Sequence, residues 1–268
     1  MKDSAPRWEL SAPESQILLS GPETRDDWGL KAALLELVVR GGLRLSTAES
    51  SGILRRKRAH VLVLVKNSDL AAIAALRGVL DAYPQPRLHS NRTAVAVGDL
   101  ARAVFSRYQK APSGGYVNEI LLPALAERGL FSREADPRLR LTGAGGWFLT
   151  QRGLAALVEL RSLLASAREA FGAWLDRDHP RADSFLQTAG PATLLMDDAI
   201  AALGRLRERS SAEPHARNVA ASSAGAFSLG ALAGVFGPGL SDGLDAANKV
   251  INAGVDEVWR ALHRSSGE

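Results

Sequence analysis

Three features of this 268-residue chain predict an α+β fold that is mostly helical. A helical run, "LKAALLELVVRGGLRL" from Leu30 to Leu45, stops at Arg40-Gly41 and turns straight into alternating apolar residues. A partial echo, "LLPALAERGLF" from Leu121 to Phe131, carries Arg128-Gly129 at the matching place. Strand-like sequence follows each turn, "HVLVLVK" after the first and "RLRLTGAGGWFLT" after the second. Helices closed on one side by a β-hairpin form the winged-helix arrangement. The expectation is therefore two winged-helix-like units and a helical C-terminal extension. The expected divisions are an N-terminal arm (1–26), a first unit (27–88), a second unit with a long helix (89–178) and an Ala/Gly-rich extension (179–268).

The arm carries Pro6, Pro13 and Pro22 and room for one short helix, "APESQILL". The first strong helix is expected from Asp27 to Arg40, with Leu30, Ala33, Leu34, Leu37 and Val38 on one apolar face. Asp26 or Asp27 would cap its start, and Gly41 would supply the left-handed residue at its end. "GLRLS" and "HVLVLVK" read as strands, with "TAESSGILRRKRA" as a long polar connection. "NSDLAAIAALRGVLDAY" reads as a helix capped by Asn67 or Ser68. Pro84 and Pro86 then impose a loop.

In the second unit Val95 and Val97 suggest a short strand. Asp99 would cap a helix that buries Leu100, Val104 and Tyr108. "YVNEILLPALAER" is helical up to Gly129, with Pro123 either kinking it or marking a start at Leu122. "RLRLT" and "WFLT" are expected to pair across the "GAGG" turn. Thr150 would cap one long helix running to Leu175. Beyond it the chain is helical around a break at Gly190-Pro191. "SSAEPHA" reads as a linker, Asn218 to Leu240 carries no charge, and Leu244 to Leu262 has the stripe of a docking helix.

Composition bounds the function. The net charge of +4 gives a mild preference for anionic partners. With no cysteine, disulfides, thiolate metal sites and cysteine nucleophiles are excluded. "MKDSAPRWEL" lacks the apolar core of an export signal, so the cytoplasm is the expected address. Ala, Arg, Leu and Gly richness with few lysines suggests a bacterial source. The uncharged run from Asn218 to Leu240 is long enough to span a bilayer but too rich in Ala, Gly and Ser to favour it. Membrane association therefore stays open.

"PESQILLSGPETRDDWGLKAALLELVVRGGLRL" resembles the opening of the cytosolic, tandem winged-helix C-terminal region of an uncharacterised class of predicted bacterial membrane proteins. The residues that carry the resemblance are Pro13, Glu14, Ala33, Leu34, Leu35, Leu37, Arg40 and Gly41, followed by Arg128, Gly129 and Phe131. No activity comes with it. A looser likeness, through the "LLxELxxRGxL" pattern and "LAERGLF", is to Golgi-phosphoprotein-type domains. It implies binding of phosphoinositide headgroups at a membrane surface. "LTQRGLAAL", Leu149 to Leu157, is similar to the wing-to-helix junction of bacterial winged-helix regulators.

The most concrete candidate site is Arg55, Arg56, Lys57 and Arg58. At a hairpin tip these cations would meet a phosphate backbone or anionic lipid, gaining by counterion release. As a bland alternative they form a solvated loop. A DNA-reading helix would need side chains for base edges. "LKAALLELVVR" offers only Lys31, Glu36 and Arg40, and the second candidate helix only Asn118, Glu119, Glu127 and Arg128. Enzymatic signals are thin. "TGAGG" lacks the Lys-Ser/Thr of a phosphate loop. "DRDH", Asp176 to His179, reads as a charged helix end. Asp197 and Asp198 point about 100° apart on a helix. His60, His89, His179, His215 and His263 show no metal-ligand spacing. The reading is a non-catalytic interaction or scaffold module with a protein partner or self-association and no cofactor. The alternatives are a DNA-binding regulator and a peripheral anionic-lipid binder.

Overall fold

The computed structural model describes residues 10–51, 56–65, 70, 72–84, 94–109, 114–134, 146–201, 203 and 243–264. Among the described residues the fold is mostly helical with two small antiparallel sheets, as the α+β, mostly helical expectation required. "SSAEPHA", the run from Asn218 to Leu240, His89, His215, Arg55, the segment "RLRLT" and Gly143 to Gly145 lie outside the described residues.

The two Arg-Gly turns are the same structure. Helix α2 spans Asp26–Val39, and Gly41 follows it with φ +71°. Its amide donates to the Val38 carbonyl (3.1 Å), and the Gly42 amide donates to Leu37 (2.8 Å). After α5 (Leu122–Glu127), Gly129 has φ +70° and donates to Ala126 (2.8 Å), while Leu130 donates to Leu125 (2.9 Å). Both are Schellman endings, which need a residue free to adopt positive φ. Each leads two residues later into a hairpin: β1 (Leu43–Ser51) with β2 (Arg56–Leu64), and β4 (Phe131–Glu134) with β5 (Gly146–Leu149).

Several expectations are corrected. The short helix expected in the arm is present as α1 (Ala12–Ser20), but it is packed into the fold, buried through Ala12, Glu14, Ser15, Ile17 and Leu18. It is a capping-box helix, with Ser11 accepting from the Glu14 amide and Glu14 reaching back to the Ser11 amide. Helix α2 is enclosed rather than one-sided. Even Asp27 and Glu36 are fully buried, and its neighbours are α1, α3 (Ala74–Ala82), β1 and the C-terminal helix. Neither Asp26 nor Asp27 caps it, since Arg25 occupies the cap position and both carboxylates bond elsewhere. The polar connection after "GLRLS" is mostly strand: the β1–β2 pairing runs on to Ser51 and Arg56. Backbone ladder bonds hold a ribbon whatever its side-chain pattern.

Strand β3 is Ala94–Ala96, and Val97 begins α4 (Val97–Tyr108) rather than extending the strand. β3 pairs with Val61–Val63 of β2, giving the sheet order β1-β2-β3, so the chain past residue 89 completes the first hairpin's sheet. Asp99 lies inside α4 and pairs with Arg102 at 2.8 Å instead of capping. A π-turn, Val117–Leu121, precedes α5 and leaves Pro123 in the first turn, where its missing amide costs nothing. Among the described residues, the strand that holds "WFL" pairs with Phe131–Glu134, and the expected pairing with "RLRLT" across "GAGG" lies outside them. Thr150 does cap α6, but that helix ends at Ala167. A separate α7 (Phe171–Arg177) replaces the expected continuation to Leu175. The break at Gly190-Pro191 is present: α8 (His179–Ala189) gives way to a 3-10 segment, Gly190–Leu195. The last helix, α9 (Gly243–Arg264), docks on α2 and α4 through Leu244, Ala247, Ile251, Val255 and Val258.

Candidate functional site: a basic ribbon and a core of buried carboxylates

The candidate cations fall at the distal end of the first hairpin. Arg56, Lys57 and Arg58 are the first three residues of β2, in register with Ser51, Ser50 and Glu49. Among the described residues, only Val61–Val63 of β2 bond a third strand, so the last five residue pairs belong to a two-stranded ribbon. Arg55 lies outside the described residues. Along the ribbon Arg44, Thr47 and His60 are exposed, as are Leu64 (36%) and Val65 (41%).

The polar groups of the candidate reading helix are used inside the fold. Lys31 Nζ meets Asp256 Oδ1 at 2.5 Å and Asp27 Oδ2 at 3.4 Å. Glu36 accepts from the Ala12 amide (2.6 Å) and from Arg40 Nε (2.7 Å). Burial pushes the Glu36 carboxyl up to about 7, against the pull of Arg40 and the Ala12 amide. In the second Arg-Gly turn Arg128 Nε lies 3.3 Å from Glu14 Oε1. The other Glu14 oxygen accepts from the Ser11 amide and hydroxyl. Asn118, Glu119 and Glu127 remain exposed on the second helix.

Three tyrosines anchor helices by their hydroxyls, Tyr116 among them within range of Glu36 and Glu14. Tyr116, fully buried, donates to the Ala75 carbonyl at 2.5 Å, and desolvation first, then Glu36, raises its pKa well above the usual value. Tyr108 donates to Gly78 and Tyr83 to Leu62, both at 2.9 Å. These bonds tie α3 to α4, to the π-turn and to β2. Sequence reading missed this layer, because a Glu inside "LLELVV" looks like an ordinary solvent-facing position.

A second polar cluster joins α2 to α9. Arg25 forms a two-point pair with Asp27 (2.9 and 3.0 Å) and stacks over Trp259 at 5.4 Å and Trp28 at 6.0 Å. Trp259 also packs edge-on against Phe105 and against the His263 ring. Asp26 accepts from the Val117 amide at 2.8 Å, and burial raises its pKa to about 6. Trp28 is 44% exposed, so this tryptophan is an edge residue. Trp174 stacks with Phe171, Phe185 and Arg181 on the α7–α8 pair, and Trp147 lies beneath Arg133.

The chemistry-bearing motifs resolve into structure. Asp178 of "DRDH" caps α8 by accepting from the Arg181 amide, and His179 is that helix's first residue. Among the described residues no three His, Asp or Glu side chains group as metal ligands. No described helix is long and apolar enough to cross a membrane. No family model matches the chain, and neither a curated protein nor a solved structure matches it.

Proposed function

We propose that this protein is a non-catalytic interaction module, built on tandem winged-helix-like units, that meets an anionic surface through its β1–β2 ribbon. The surface favoured is a membrane bearing anionic headgroups. One observation carries the reading. Three consecutive cations, with Arg55 beside them in sequence, end a ribbon that outruns its sheet. Clustered cations can meet a charged plane without needing to read base edges. Duplex DNA is the weaker alternative, because Lys31 and Arg40 of the candidate reading helix are consumed by Asp256 and Glu36.

The test compares binding to vesicles containing a phosphoinositide or phosphatidylserine with binding to neutral vesicles and to duplex DNA, across a salt series. Anionic vesicles should bind, with affinity falling as salt rises. Replacing Arg55, Arg56, Lys57 and Arg58 by Ala should weaken that binding by up to about a thousandfold, at roughly 1 kcal/mol per cation near the surface. Binding to DNA but not vesicles would move the assignment to the regulator reading. Vesicle binding unchanged by the four substitutions would remove the ribbon from it.

A further inference from the structure

Helix α6 (Gln151–Ala167) packs on the fold through Leu157, Leu160 and Ala167 and turns another side to solvent. On that side Leu154 is 55% exposed and Val158 62%, the two most exposed large apolar side chains among the described residues. The same stripe runs on through Arg161, Ala165 and Arg168, all exposed, advancing by four, three, four and three residues. A repeat that averages about 3.5 residues is the seam one helix offers another. Beside the second half of the seam lies a half-open cavity of about 700 Å³. Its apolar lining is Leu19 at the end of α1, Leu164 of α6, and Leu195 and Met196 at the end of the 3-10 segment. Arg161 and Arg168 line the same cavity, seven residues apart or about 10.5 Å along the helix. The Leu19 carbonyl holds the Arg161 guanidinium in place at 3.2 Å. Among the described residues Arg168 has no charged partner. Glu169, just past the helix, also lines the cavity.

We propose that this face docks an acidic amphipathic helix of a partner protein, laid along α6. The partner's apolar side chains cover Leu154 and Val158 and enter the cavity beside Ala165. Its carboxylates, seven residues apart, meet Arg161 and Arg168. The guanidiniums select the charge of the partner, and like charges brought to them are rejected. Glu169 sets a limit to the acidic stretch, since it favours a cation at that end of the partner. A helix that lies in a bilayer interface carries its cations on a polar face apart from its apolar one. Here they stand within the apolar stripe, which suits a second helix and not a lipid surface. Neither β1 nor β2 takes part, so the inference stands apart from the ribbon and its membrane reading.

The probe is a synthetic helical peptide whose seam reads Glu, Leu, Glu, Leu, Leu at alternating spacings of three and four, the order that faces Arg168 through Leu154 in an antiparallel pair. It is also made with the seam in reverse order, for a parallel pair. Control peptides carry Lys for both Glu. Fluorescence anisotropy compares the wild type with Arg161→Glu/Arg168→Glu. The wild type should bind one of the Glu peptides about tenfold or more tighter than its Lys control, because two opposed pairs replace two like-charge ones. The reversed variant should invert that preference. Arg168→Glu alone, which removes no hydrogen bond of the fold, should narrow it. Val158→Asp should weaken the Glu peptide about tenfold. The protein with Ala at Arg55, Arg56, Lys57 and Arg58 should bind it as the wild type does. Four outcomes overturn the proposal: no binding of either Glu peptide at about 1 mM, equal affinity for Glu and Lys peptides, a preference that survives the charge reversal, or Val158→Asp weakening binding to anionic vesicles while leaving the peptide unaffected.

Discussion

Replacing Glu36 by Gln should remove the farther-reaching part of the loss of stability that the wild type shows as pH rises from about 4.5 to 7. Glu36 is fully buried and its carboxyl titrates at about 7 in the folded state, against 4.5 as the reference value. Between those values the folded state binds more protons than the unfolded state, so stability falls as pH rises. The loss begins near 4.5 and is complete just above 7. A shift of this size corresponds to about 3 kcal/mol at 1.36 kcal/mol per pH unit, a large part of a typical total of about 5–15 kcal/mol. Glutamine keeps one oxygen for the Ala12 amide or for Arg40 but cannot ionise. Urea denaturation of both proteins at intervals from pH 4.5 to 8 measures the difference. The variant should gain about 3 kcal/mol relative to wild type between the two ends of the series. Asp26, also raised by burial, contributes a slope of the same sign to both proteins and cancels in the comparison. Parallel stability profiles for the two would refute the argument, because they would mean that Glu36 does not carry a proton in the folded state.

Two further predictions concern the turns and the helix cap. Gly41→Ala and Gly129→Ala should each cost about 1–2 kcal/mol in the same assay, by similar amounts, since the two glycines have φ within a degree of each other and the same pair of hydrogen bonds. Losses that differ several-fold would break the structural equivalence of the turns. Thr150→Ala should cost about 1 kcal/mol, because its hydroxyl accepts from the Gly153 amide and lies 2.7 Å from the Gly129 carbonyl. Hydrogen exchange should show the first turn of α6 opening faster in that variant, and unchanged protection there would sink the assignment.

What could be read from the sequence was what is local. Gly41, Gly129 and Thr150 act within a few residues of themselves, so their neighbours announce them. The α9 stripe is legible for the same reason, being one face of one helix. What was not legible depends on partners far along the chain. Glu14 needs Arg128, Asp26 needs Val117, and Lys31 needs Asp256. "FSRE", which looks like a turn, is a strand that pairs with β5. Of the candidate site, the clustering of cations was visible. Their place at the start of a strand was not, because it depends on pairing with Glu49, Ser50 and Ser51.

The echo between the two Arg-Gly turns has a common physical basis in α1. Glu36 receives the amide at the start of α1 and the guanidinium of Arg40. Glu14, in the first turn of α1, meets the guanidinium of Arg128. Each arginine thus sits at the end of its own helix, where a cation also suits the negative end of the helix dipole, and each offsets a carboxylate beside the start of α1. A buried carboxylate without such a partner is strongly destabilising. The repeated Arg-Gly pair is therefore two devices in two residues: the glycine turns the chain into its hairpin, and the arginine fastens that turn to α1. The two turns share one clasp, and the segment that the prolines mark as an arm supplies it. Loss of α1 should accordingly loosen both hairpins together, including the ribbon that carries Arg56, Lys57 and Arg58, although none of those cations lies near it in sequence.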